Sequence, residues 1–90
     1  MEAKNTEIKE GLRKFIISNY MLASGAAKLS DDDSFLEKGI IDSIGVIELA
    51  SYIQRTYAIK IRVPEIVPSN FDTINNLERY ITKKLQEKTR

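Results

Sequence analysis

Apolar residues recur at helical spacing in three stretches of this 90-residue chain. In the first stretch they follow one another at three- or four-residue intervals, which predicts one buried face of a helix over residues 3–19. That face consists of Ile8, Leu12, Phe15, Ile16 and Tyr20. The second stretch starts after Asp42 and Ser43, either of which can cap a helix, and it predicts a helix over residues 43–56.

The third stretch predicts the last helix, over residues 73–86, because an apolar stripe follows two residues that can cap it, Asp72 and Thr73. The stripe consists of Ile74, Leu77, Ile81 and Leu85. We expect the inward faces of the second and third stretches to form the core rather than a pocket for a ligand. The central core residues are then Leu49, Ile53, Leu77 and Ile81.

The segments between these helices lack the same periodicity. Residues 21–42 are rich in turn-forming residues, so they predict a long loop that apolar side chains hold on the core. These side chains are Leu22, Leu29, Phe35, Leu36 and Ile40 or Ile41. Residues 59–63 alternate like a strand, but no second strand is predicted to pair with them, so we expect an extended linker. Pro64 can start a helix and Pro68 limits it, which predicts a short helix over residues 64–67.

This order of elements predicts an all-α fold in a single domain, residues 1–90. The domain is a small helical bundle with three main helices, one short helix and a long loop between the first two main helices. No apolar run approaches the roughly 20 residues that a membrane span requires, and the first residues lack the apolar core of a signal peptide. We therefore expect a cytoplasmic protein, and a monomer.

The composition excludes several classes of function. The chain has neither cysteine nor histidine, which removes the thiol nucleophile, the commonest general base and the commonest transition-metal ligand and indicates that the protein is not an enzyme. Its 14 basic and 13 acidic residues give a net charge of +1, without the basic excess of a nucleic-acid binder. Residues 31–48 are the exception, since six acidic residues and one lysine give that segment a charge of −5.

Ser43 is the residue best placed for a covalent group. A serine at the start of a helix holds its hydroxyl near unpaired backbone amides and the positive end of the helix dipole, which would stabilise a phosphate on that oxygen. The alternative is that Asp42 or Ser43 only caps the helix. The position by itself leaves both interpretations open.

The residues around Ser43 resemble the attachment site of acyl carrier and peptidyl carrier proteins, the phosphopantetheine-binding family. The motif of that family is an aromatic residue or leucine, a glycine, Asp-Ser followed by an apolar residue, and Glu-Leu one turn later. The matching residues here are Phe35-Leu36, Gly39, Asp42-Ser43-Ile44 and Val46-Ile47-Glu48-Leu49. Residues 57–61 and 70–74 are also similar to the family, so the resemblance covers most of the chain.

The resemblance implies that Ser43 accepts 4′-phosphopantetheine from coenzyme A through a phosphopantetheinyl transferase. The thiol of the arm would hold the cargo as a thioester. Asp42 would help present the site to the transferase and its magnesium, while Ile44, Ile47 and Glu48 would contact partner enzymes. Three of these residues also have a purely structural interpretation: Asp42 as a helix cap, Ile44 as a partly buried core residue, and Glu48 as part of an ordinary helix face. The aspartates of residues 31–33 are either acidic recognition surface or a solvated loop.

The details of the match favour discrete D-alanyl or peptidyl carriers over the fatty-acid synthase type. Fatty-acid carriers are typically very acidic, whereas this chain is nearly neutral. Two residues separate Gly39 from Asp42, which is similar to D-alanyl and peptidyl carriers. The expected partners are therefore an adenylating acyl or aminoacyl ligase and downstream acyl-using enzymes of specialised or secondary metabolism. The alternatives are an unmodified helical adaptor that binds a partner protein, and a carrier in fatty-acid synthesis.

Overall fold

The computed structural model describes residues 2–21 and 29–88. These residues form four α-helices and no strand, which confirms the predicted all-α fold. The helices are α1 (Glu2–Ile16), α2 (Ser43–Tyr57), α3 (Pro68–Phe71) and α4 (Ile74–Lys88). A π-helical turn, Ile17–Met21, continues α1, and a 3-10 turn, Val63–Glu65, precedes α3. Within the described part of the chain, none of the helices has the length and apolar character needed to cross a membrane.

The structure differs from the prediction at two of these elements. The first helix does not stay α-helical to residue 19 but widens into the π-helical turn, where the Asn19 side chain donates to the Phe15 carbonyl at 2.7 Å. The single short helix predicted over residues 64–67 is instead two elements. Pro68 does not end a helix but begins α3, because the first position of a helix needs no backbone N–H.

The core lies where α1, α2 and α4 face one another. Its central residues are completely buried, and they include Leu49, Ile53, Leu77 and Ile81, as predicted. Gly11 of α1 faces α2, where the Tyr52 hydroxyl donates to its carbonyl oxygen at 3.5 Å. In the described part of the chain, the inward side chains of the main helices therefore form a packed core.

The loop before α2 is held on this core by some of the predicted residues. Leu29, Phe35 and Ile41 are buried and Ile40 is half-buried. Leu36 was predicted to pack on the core, but its side chain is 53% exposed. Leu22 lies outside the described residues.

Polar contacts anchor the same loop. The three consecutive aspartates point to three different parts of the molecule. Asp31 pairs with Lys9 and Arg13 of α1, Asp32 accepts a hydrogen bond from Asn75 of α4 at 2.6 Å, and Asp33 pairs with Lys38 of the loop at 3.6 Å. Because the three carboxylates bind to different parts of the protein, the acidic run is explained by its role in holding the loop in place.

The C-terminus of α2 allows a test of backbone strain. Ala58 ends the helix with a φ of 55°, in the left-handed region that disfavours a Cβ. Because its side chain is exposed, Ala58→Gly is expected to raise the free energy of unfolding by about 1 kcal/mol. Chemical denaturation measures this change.

The matched control is Ala50→Gly in the same helix. That substitution removes a buried methyl group and adds backbone freedom, so it should lower the free energy of unfolding by about 1–2 kcal/mol. A loss of stability in Ala58→Gly as well as in Ala50→Gly would contradict the strain at Ala58.

Candidate functional site

Ser43 is the first residue of α2, and its side chain is exposed. The cap of this helix is Asp42, whose carboxylate accepts a hydrogen bond from the Gly45 N–H at 2.8 Å. The capping interpretation of Asp42 is thus confirmed, and Ser43 is not the cap. The Ser43 hydroxyl remains available at the positive end of the helix dipole, where a phosphate would be stabilised.

The first turn of α2 is packed closely against the residues below it. A Cβ on Gly45 would lie only 2.7 Å from Cγ2 of Ile41 and 3.3 Å from a ring carbon of Tyr20. Ile41 is buried and branched at Cβ, so it has little freedom to move away. Gly45 therefore lets the turn that bears Ser43 lie directly on the core. Glycine lowers the stability of a helix, so its presence in the first turn of a predicted helix indicates a close packing contact there. This was the signal for the contact that the sequence contained.

Glu48 has a partner within the protein. Its carboxylate accepts a hydrogen bond from the Tyr20 hydroxyl at 2.8 Å, and that hydroxyl also lies 3.3 Å from the Gly45 carbonyl oxygen. Burial and the bond to Glu48 raise the pKa of Tyr20 to about 12. The sequence predicted Tyr20 only as part of an apolar stripe, but it joins the end of α1 to the first turns of α2.

Ile44 and Ile47 present an apolar surface beside Ser43. Their side chains are 69% and 61% exposed. The interpretation of Ile44 as a partly buried core residue is therefore wrong. Exposed branched side chains next to a modification site are suited to contact a partner protein.

An apolar groove of about 420 Å³ lies beside Ser43. It runs between α2, the loop before α2 and residues 63–68. The apolar lining includes Leu36, Val46, Ile47, Val63, Ile66 and Val67, and the polar lining consists of Ser43 and Asp72. Its volume is within the range of pockets that bind small organic molecules, about 300–1,000 Å³. The sequence did not predict this groove, because the loop and the two short helical elements form most of it.

Asp72 fixes the loop side of the groove. Its carboxylate accepts hydrogen bonds from the Ser34 hydroxyl and from the Leu36 N–H, the latter at 3.0 Å, and its carbonyl accepts from the Phe35 N–H at 2.9 Å. Of the two predicted caps of α4, Thr73 is the one that bonds the helix N-terminus. Asp72 instead determines where Leu36 lies.

Residues 22–81 match the family model described as a phosphopantetheine attachment site. The matched segment contains Ser43, all of α2 and the groove beside them. Domains of this kind are non-catalytic carriers to which 4′-phosphopantetheine is attached covalently. No curated protein matches the chain.

The packing at Gly45 predicts the effect of adding one methyl group there. Gly45→Ala should lower the free energy of unfolding by about 1–3 kcal/mol, because the new Cβ would overlap Ile41. Thermal or chemical unfolding measures the loss.

Gly11→Ala is the matched control in α1. Its Cβ would make only ordinary contacts with Tyr57 and Tyr52, so the better helix propensity of alanine should stabilise the protein by up to about 1 kcal/mol. Tolerance of Gly45→Ala at no cost would show that the first turn of α2 is not tightly packed.

Proposed function

Because the chain belongs to the family of phosphopantetheine attachment domains, we propose that Ser43 is the residue that bears the 4′-phosphopantetheine arm. The protein is a carrier rather than an enzyme, and such domains work with a phosphopantetheinyl transferase and with acyl-handling enzymes. The observation that carries the proposal is an exposed serine hydroxyl at the start of α2, beside an apolar groove.

The surroundings of Ser43 suit this attachment. The Ser43 oxygen would bond to the pantetheine-side phosphorus of coenzyme A, and the bond from that phosphorus to the bridging oxygen of the pyrophosphate would break. Adenosine 3′,5′-bisphosphate would leave, and the hydroxyl proton would pass to a base of the transferase or to water. The N-terminal amides of α2 would then face the new negative charge. Asp42 stabilises the helix start and, in this proposal, also helps present Ser43 to the transferase and its magnesium. When bound, the arm supplies a thiol that holds the cargo as a thioester.

The proposed cargo is an aminoacyl or specialised acyl group, loaded by an adenylating ligase and used by downstream acyl-using enzymes. The net charge of +1 and the two residues between Gly39 and Asp42 support this cargo over a housekeeping fatty acid. The groove supports cargo with some apolar character, since its lining is mostly apolar. The proposal keeps the monomeric state and the cytoplasmic location expected from the sequence. It sets aside the unmodified adaptor, because the family is defined by a covalent attachment.

Partner enzymes are proposed to contact the exposed face of α2 beside Ser43. Ile44 and Ile47 supply the apolar part of this face, and their exposure is what supports the role. Glu48 supplies a carboxylate that Tyr20 holds in place. A preorganised charge next to two apolar side chains gives a partner both contact area and orientation.

The attachment site can be tested by intact mass spectrometry. Incubation with coenzyme A, magnesium and a broad-specificity phosphopantetheinyl transferase should add the mass of one arm. Ser43→Ala should prevent the addition, because the accepting hydroxyl is gone. Ser51→Ala, in the same helix, is the matched control and should be modified normally. The proposal fails if the unmodified mass persists while another carrier protein is converted in the same mixture.

The partner face can be tested with Ile44→Ala and Ile47→Ala. Each side chain is mostly exposed, so stability should change by less than about 0.5 kcal/mol. The kcat/KM of the transferase should fall about tenfold if the residue is a central contact. Thr56→Ala removes an exposed side chain near the C-terminal end of α2, which does not line the groove, and serves as the control. Unchanged kinetics in both isoleucine variants would place the contact elsewhere.

A further inference from the structure

Residues 63–67 form the wall of the groove beside Ser43 that faces α2. Val63, Ile66 and Val67 line the groove from this wall, and Ile66 also packs against the core. Glu65, in the same segment, instead lines a second cavity of about 370 Å³, together with polar residues of α4 that include Tyr80 and Lys84. One chain segment therefore contributes side chains to both cavities.

Glu65 joins this wall to α4. Its carboxylate accepts a hydrogen bond from the Tyr80 hydroxyl at 2.6 Å and pairs with Nζ of Lys84 at 3.2 Å. It also accepts from the Arg62 N–H at 3.3 Å, which ties it to its own turn. We call Glu65, Tyr80 and Lys84 the Glu65 clamp. None of the three lines the apolar groove.

The anchor end of the clamp is rigid. Tyr80 is only 8% exposed, and its ring lies 5.5 Å from that of Phe71. The bond from Tyr80 is the main cause that lowers the pKa of Glu65, and burial with the same bond raises the pKa of Tyr80. The carboxylate is thus charged at neutral pH and makes charge-assisted hydrogen bonds, which are the stronger kind.

The hydrophobic effect favours a narrower groove. Val63 on the wall is 80% exposed and Ile47 on α2 is 61% exposed, and both line the groove. Movement of the wall toward α2 would bury apolar surface from both sides. The bonds from Glu65 to Tyr80 and Lys84 tie the same wall to α4.

We propose that the Glu65 clamp holds the groove beside Ser43 open and so sets which acyl groups the groove accepts. Glu65, Tyr80 and Lys84 are positioning residues that act through Val63, Ile66 and Val67. This inference rests on the proposed function, because the cargo reaches the groove only if Ser43 carries the arm.

The test compares acyl groups of different length on Ser43. The transferase loads the protein from acetyl- or octanoyl-coenzyme A, and hydroxylamine then cleaves each thioester, followed by intact mass. Each rate is divided by that of the same acyl-coenzyme A free in solution. Octanoyl should be protected relative to acetyl in the wild type. In Glu65→Ala this protection should fall by about threefold or more, as the loss of a hydrogen bond to a charged group predicts.

Conservative variants distinguish a positioning role of the Glu65 clamp from a general effect on the stability of the protein. Glu65→Gln keeps an oxygen for the Tyr80 hydroxyl and should retain most of the protection, whereas Tyr80→Phe should lose much of it. Glu10→Ala, on α1 away from the groove, should match the wild type. If Glu65→Ala does not fold, Tyr80→Phe decides the question.

The outcomes distinguish the two proposals. Equal protection of octanoyl in the wild type, Glu65→Ala and Tyr80→Phe would overturn the role of the clamp, as would a wild type that protects neither acyl group. Both results leave Ser43 as the attachment point, because loading is measured before cleavage. Failure to load any acyl group, with a second carrier protein loaded in parallel, would overturn the proposed function and the clamp with it.

Discussion

The close contact of Gly45 with Ile41 and Tyr20 determines where Ser43 stands. Without a Cβ at this position, the first turn of α2 lies directly on the buried Ile41 side chain. Tyr20, in the π-helical turn that follows α1, packs against the same turn of α2 and donates a hydrogen bond to Glu48 one turn further along that helix. These contacts fix the core-facing side of the helix start, while Ser43 remains exposed to solvent. An attachment site needs this combination of a rigid base and an accessible oxygen.

Polar anchors hold two borders of the groove beside Ser43. Asp72 holds the loop through Ser34 and Leu36 on one side. Glu65 holds the opposite wall through Tyr80 on the other. Val46 and Ile66, which also line the groove, pack against the main core. The groove therefore combines apolar side chains that rest on the core with two borders that hydrogen bonds hold.

Apolar spacing in the sequence was enough to predict the three long helices and the inward residues of α2 and α4, while the residue types before α2 narrowed its cap to Asp42 or Ser43. These features depend on residues a few positions apart. The contacts around the site join distant residues: Tyr20 to Glu48, Ser34 to Asp72, and Glu65 to Tyr80. No periodic pattern contains such pairs, so the groove and its anchors could not be predicted. For Ile44 the sequence left two interpretations open, a partner-facing residue and a partly buried core residue, and the exposure of its side chain rules out the second.

The central claim, that the arm is on Ser43, is tested most directly by locating it in the modified protein. Trypsin cleaves after Lys38 and Arg55, so one peptide, residues 39–55, contains both Ser43 and Ser51. Tandem mass spectrometry of this peptide should place the added mass between Asp42 and Ile44. An arm on Ser51, or on any other peptide of the protein, would contradict the assignment of Ser43.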